Sequence, residues 1–244
     1  YNVTGPSNSQ VAQVESIVSQ RLKGSFLWMV VGLLTTIGVG FAALANPNWL
    51  RFAYQNFTII LLVEIGVIVL FSARAYTANV MTLRGMFFLY SALNGLTLTL
   101  ISLRYNVFDV VIPALVGTLA FFIGFAVVGA TTKRNLSSLT PYVMAALIGM
   151  IIVSFVMIGA RYFNWAVLSA FSDTVSLVLG YVGVVVFSIF TAIDVKRIKN
   201  NVTEVALMED ESILDRIEIT GALNLYLDFI NLFLSLLRIF GNKR

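Results

Sequence analysis

The chain has no cysteine and no histidine. Those two absences together remove disulfides, thiolate nucleophiles, the common zinc sites, haem ligation through histidine and Ser-His-Asp catalysis. Proton chemistry, if the protein performs any, must run through carboxylates. Charge is scarce too: 11% of the 244 residues are charged, where an ordinary soluble domain has about 25%. So few charges cannot clothe a chain of this length in a water-facing surface.

What fills the space is apolar. The sequence is 59% hydrophobic, with a mean hydropathy of +0.90, so a bilayer rather than a soluble core is the expected solvent. The charges fall in short stretches between long apolar runs, which favours one integral membrane domain, 25–244, behind a water-soluble, cytoplasmic segment at 1–24. A second water-soluble stretch, the cytoplasmic loop, is expected at about 195–218. The net charge of +4 does not point to nucleic acid, because the basic residues flank apolar runs and form no patch interleaved with aromatics. The first residue is Tyr1, as at a processing boundary. The first apolar run is too long, and too far behind soluble residues, for a cleavable signal.

About 20 apolar residues are needed to cross the roughly 30 Å hydrocarbon layer. Seven runs qualify: 25–45, 57–73, 85–103, 109–130, 140–160, 174–193 and 219–239. They are continuously apolar and lack the two-residue alternation of barrel strands, so helices are expected. The fold class is therefore all-α, a polytopic membrane protein with seven transmembrane helices.

Orientation follows from counting Lys and Arg on alternate sides. With the amino terminus cytoplasmic, that side collects ten basic residues: Arg21, Lys23, Arg74, Arg84, Lys133, Arg134, Lys196, Arg197, Lys199 and Arg216. The other side collects six: Arg51, Arg104, Arg161, Arg238, Lys243 and Arg244. A re-entrant seventh run would make the bias thirteen to three, so charge alone leaves the side of the carboxy terminus open. Gly32, Gly38 and Gly40 in the first span, and Gly117, Gly124 and Gly129 in the fourth, would permit close helix contact.

Ionisable residues at membrane depth cost at least about 2.5–3.5 kcal/mol each and so call for a partner or a function. Glu64 lies in the middle of the second run and Asp228 well inside the seventh, while Asp194 closes the sixth. Asn224, Asp228, Asn231, Ser235 and Arg238 recur at offsets of four, three, four and three, along one helix face. A seventh helix central in the bundle follows. The stripe is either a hydrogen-bond seam or an ion or proton path, and the sequence leaves both open. Asp194, followed at once by Lys196, Arg197 and Lys199, reads on its own as a solvated helix end. Should it approach Asp228, the two would titrate as a coupled pair, because two carboxylates in a poorly solvated site cannot both ionise cheaply. Depth opposes that meeting, since Asp228 lies about 14 Å inside a span that starts at residue 219. Arg74, at the end of the second run, can neutralise an aspartate or meet lipid headgroups. Ser91, Asn94, Gly95, Thr97 and Thr99 in the third run either line a pore or bond neighbouring helices.

Three segments, YSALNGLTLTLI, TAIDVKRIK and above all GALNLYLDFINLFLSLLRIFGNKR, resemble the Bax inhibitor family of transmembrane proteins, and the FGNKR ending is similar to bacterial members. The resemblance implies seven helices with the seventh central, a bacterial inner membrane, and a pH-sensitive calcium leak controlled by an aspartate dyad. Carried over by position, the dyad is Asp194 and Asp228, with calcium held weakly between them. Arg74 corresponds to an arginine that latches the closed state, and Glu64 to the acidic residue of the same helix, with Asn224, Asn231 and Asn94 in support. Ile193 and Lys196 stand where family members commonly carry Tyr and Gln.

The expectation is then a calcium leak. Its alternatives are a proton-coupled carrier using Glu64 and a non-transporting membrane regulator or scaffold. No catalytic residues and no cofactor are expected; calcium and protons are cargo and signal, and the bilayer is the partner.

Overall fold

A computed structural model describes residues 8–208 and 210–242, with the side chains of residues 161, 167 and 169 left aside. Among the described residues every regular element is helical. Helix α1 spans Asn8–Ala45, α2 Pro47–Gln55, α3 Phe57–Arg74 and α4 Val80–Ser102. One π turn, Val107–Val111, leads into α5, Ile112–Thr131, and one 3-10 turn, Leu136–Leu139, leads into α6, Thr140–Tyr162. A short α7, Ala166–Ala170, precedes α8, Ser172–Val205, and α9, Glu211–Gly241.

Asparagine punctuates the connectors for one physical reason. Its short amide oxygen accepts the backbone N–H groups that open a helix and have no intrahelical partner. Asn46 accepts from the N–H of Asn48, Asn79 from Met81, Asn106 from Phe108 and Asp109, and Asn135 from Ser137. Asp210 does the same before α9. The Ser212 hydroxyl at 2.7 Å, with the backbone N–H groups of Ser212 and Ile213, holds its carboxyl below the usual range.

Seven helices are long and apolar enough to cross a membrane: α1, α3, α4, α5 with its leading turn, α6 with its leading turn, α8 and α9. Their number and order match the apolar runs. Three boundaries differ by eight residues or more, all for the same reason. The first span belongs to a helix that begins at Asn8, α8 runs on to Val205, and α9 begins at Glu211 rather than near residue 219. Hydropathy stops at the first charges, whereas a helix keeps its backbone bonds past the hydrocarbon edge. At 1.5 Å per residue, α1 is about 57 Å long, well beyond the hydrocarbon thickness. Helix α9 is the most enclosed span, 67% of its apolar window being buried against 11% for α6. It is one unbroken helix rather than a re-entrant loop.

Two compact units divide the chain, both using parts of α8 and α9. The first comprises α1 to α4 with Arg197–Tyr226. Here α1 lies tightly on α4: the Thr36 hydroxyl lies 2.9 Å from the Ser91 carbonyl and 2.6 Å from the Tyr226 hydroxyl. Tyr226 is fully buried, with Phe87 and Tyr90 edge-on to its ring. Tyr226→Phe should keep this packing but lower stability by roughly 0.6–2 kcal/mol, the worth of an interhelical hydrogen bond in a membrane protein; thermal unfolding in detergent measures it.

The second unit comprises Tyr105–Lys196 with the chain from Leu227 onward. Phe122 meets Phe229 edge-on, Gly117 lies against Leu236, and Gly180 and Gly183 lie against α9 at Ser235. Of the glycines expected to allow close approach, Gly32, Gly40, Gly117 and Gly129 face neighbours, while Gly38 and Gly124 face open space.

Candidate functional site

The two aspartates lie in the second unit, on α8 and α9. Both are buried, Asp194 at 6% and Asp228 at 5% exposure. Asp194 is therefore not a solvated helix end. It sits eleven residues before the end of α8, and the extra turns of helix beyond it remove the depth difficulty.

The close contacts fix how α8 and α9 face one another. Positions that a Cβ would fill at Gly180 and Gly183 meet Ile239 and Ser235 respectively, so residue numbers fall on one helix as they rise on the other. The helices are antiparallel. Continuing that register through the second unit sets Asp228 beside Phe190 and Thr191, and Asp194 one helical turn further on, about 5 Å along the axis. Spacing also fixes the faces. Asp194 lies eleven and fourteen residues from Gly183 and Gly180, and Asp228 lies seven and eleven from Ser235 and Ile239. These are multiples of the helical repeat, so both aspartates stand on the stripes that α8 and α9 turn toward each other.

Other polar groups line these stripes. Ser235 and Thr191 are buried with their hydroxyls turned back to the carbonyls of Asn231 and Phe187. Asn231 is half-buried and donates to the Leu227 carbonyl at 2.8 Å. Ser188, off this stripe at six residues before Asp194, is buried, and its hydroxyl has no hydrogen-bond partner among the described residues. Nowhere among the described residues do three acidic side chains gather as a metal cage.

The remaining expected residues lie in the first unit. Glu64 is buried on α3, where its carboxylate accepts from the Thr97 hydroxyl of α4 at 3.0 Å. Asn94, also buried, donates to the Tyr90 carbonyl at 3.2 Å, and Asn224 is half-buried on α9. Arg74 ends α3 in an exposed position and makes no ion pair with a described residue.

Arg21 and Arg84 do form ion pairs. Arg21 of α1 joins Glu211, Asp215 and Glu218 of α9, and Arg84 of α4 reaches Asp215 at 3.3 Å while its guanidinium lies over Trp28. Sequence reasoning overlooked this cluster. Its signal was there, since acids at 211, 215 and 218 share a helix face, but residues 195–218 read as loop. Lys196, beside exposed Arg197, is half-buried. Its ammonium donates to the Thr132 carbonyl at the end of α5, 3.0 Å away.

Comparison with known proteins agrees with a helical membrane protein. Residues 18–244 match the family described as "Inhibitor of apoptosis-promoting Bax1". The inner membrane protein YbhL of Escherichia coli strain K12 is 34% identical over 244 residues, covering 98% of each chain. An uncharacterized protein of Borreliella burgdorferi is 31% identical, covering 97% of each. An uncharacterized membrane protein of Streptococcus pyogenes serotype M1 is also 31% identical, covering 97% of this chain and 99% of its own. With seven spans and a match running from residue 18 to the last, the chain is a multi-pass membrane protein that belongs to the Bax inhibitor family.

Proposed function

We propose that this protein is a pH-sensitive calcium leak of a bacterial inner membrane, with its amino terminus cytoplasmic and Asp194 and Asp228 as the pair that senses protons and meets calcium. The reading is carried by the burial of both carboxyl residues on two antiparallel helices in contact, at helical spacings from that contact which put each on the face turned toward the other helix. Paired in this way their charges are coupled, so proton binding at one changes the other's attraction for a cation. With histidine absent, this pair is the switch available to the second unit. The membrane assignment draws on the name of the Escherichia coli relative and the orientation on the excess of Lys and Arg.

An arginine latch belongs to the same proposal. Arg74 pairs with no described carboxylate in this state, so the latch would engage in another arrangement of the helices. Calcium flux into liposomes across pH 6 to 8 tests the reading. Wild-type flux should change with pH, and Asp228→Asn should flatten that change. Equal flux from both proteins at every pH would sink it. The competing reading, a proton-coupled carrier, draws support from Glu64, buried and bonded to Thr97. It requires instead a saturable uptake that Glu64→Gln abolishes.

A further inference from the structure

Helix α5 ends at Thr131, and the backbone of Thr132 leaves the helical conformation with ψ at 136°. The last carbonyls of a helix lack intrahelical partners and carry the negative end of its dipole, which favours a cation there. Lys196 of α8 supplies one, its ammonium donating to the Thr132 carbonyl at 3.0 Å. One turn earlier the two helices touch backbone to backbone. A Cβ on Gly129 would overlap the Ala192 carbonyl oxygen and lie 2.9 Å from its Cα. Residue numbers rise together across these two contacts, 129 with 192 and 132 with 196, so α5 and α8 run parallel where they meet.

Ala192 and Lys196 are four apart and share one face of α8. Asp194 is two residues from each and therefore projects from the opposite face, the one turned toward α9. Helix α8 is gripped from behind by α5 while it presents Asp194 in front.

We infer that Lys196 is a positioning residue: seated on the carbonyl that ends α5, and backed by the Gly129–Ala192 contact, it anchors α8 and sets the place of Asp194 relative to Asp228. The inference rests on the reading of the two aspartates as calcium's path. The other charges nearby are Lys133 and Arg134, exposed on the turn after α5, Arg197, exposed on α8, and Asp228 of α9; α6 brings no carboxylate. A bare charge effect of Lys196 on Asp194 is thus the rival account, and a change without charge at Gly129 separates the two.

The test uses the full chain, whose lack of native cysteine allows site-specific spin labels. Val128→Cys on α5 and Val185→Cys on α8, both exposed, report the distance between the helices. Calcium flux in liposomes reports the half-saturating concentration. Lys196→Met should broaden the distance distribution and raise the half-saturating concentration about tenfold, the equivalent of roughly 1.4 kcal/mol of ion binding. Lys196→Arg should restore both, and Gly129→Leu should reproduce the Lys196→Met pattern. An unchanged distance distribution in Lys196→Met overturns the anchor. So does a flux change in Lys196→Met that Gly129→Leu fails to share, which identifies a charge effect. Broadened distances in a protein that passes no calcium in any form uphold the anchor and overturn the leak instead.

Discussion

The double replacement Asp194→Asn with Asp228→Asn should lower calcium flux little further than either single replacement. On the proposed reading, each single change removes one charged contact with the ion, worth about 1.5–3 kcal/mol, and so should reduce flux about tenfold or more. Were the aspartates independent, the two losses would multiply to about a hundredfold. A coupled pair one helical turn apart behaves otherwise. Once one carboxylate is neutral, the remaining one no longer shares a proton or a cation, and the unit is already broken. The same coupling says that both single replacements should flatten the pH profile alike. Flux measured at several pH values on the four proteins of the cycle decides it, and fully multiplicative losses would exclude a dyad.

The number of spans, their order and the enclosure of the seventh could be foreseen because each depends on hydropathy and on a stripe of polar residues at helical spacing, both local properties. Asp228 could be singled out the same way. Asp194 could not, since its meaning depends on how far α8 continues beyond the hydrocarbon edge. Hydropathy falls at Lys196 and Arg197, but those charges do not end the helix: the Lys196 ammonium finds the end of α5, and buried Ile198 and Val202 keep the next turns packed. The Arg21 cluster escaped for a related reason. Acids at Glu211, Asp215 and Glu218 look like a solvated loop until α9 is known to begin at Glu211, when they align toward α1. Glycine composition was informative about close packing in general and silent about partners, which only the fold supplies.

That silence makes a sharp contrast between two glycines of the first unit. Gly95→Leu should be strongly destabilising, because a Cβ there would lie 2.6 Å from the Thr36 carbonyl oxygen and 2.9 Å from the Val39 Cβ. Much of the obstruction is backbone, so no rotamer change relieves it and α1 must move away from α4. The movement would also strain the Thr36 contacts with Ser91 and Tyr226. Overpacking typically costs about 1–3 kcal/mol, and with these hydrogen bonds weakened the upper end is expected. A melting temperature lower by roughly 6–12 °C would follow for a chain of this size. Gly38→Leu, two residues beyond Thr36 on α1, meets nothing within 4 Å. It should instead be neutral or gain up to about 1 kcal/mol from helix propensity. Thermal unfolding of the two variants in one detergent, followed by helical circular dichroism, compares them directly; equal losses would mean that α1 and α4 do not pack with Gly95 against Thr36.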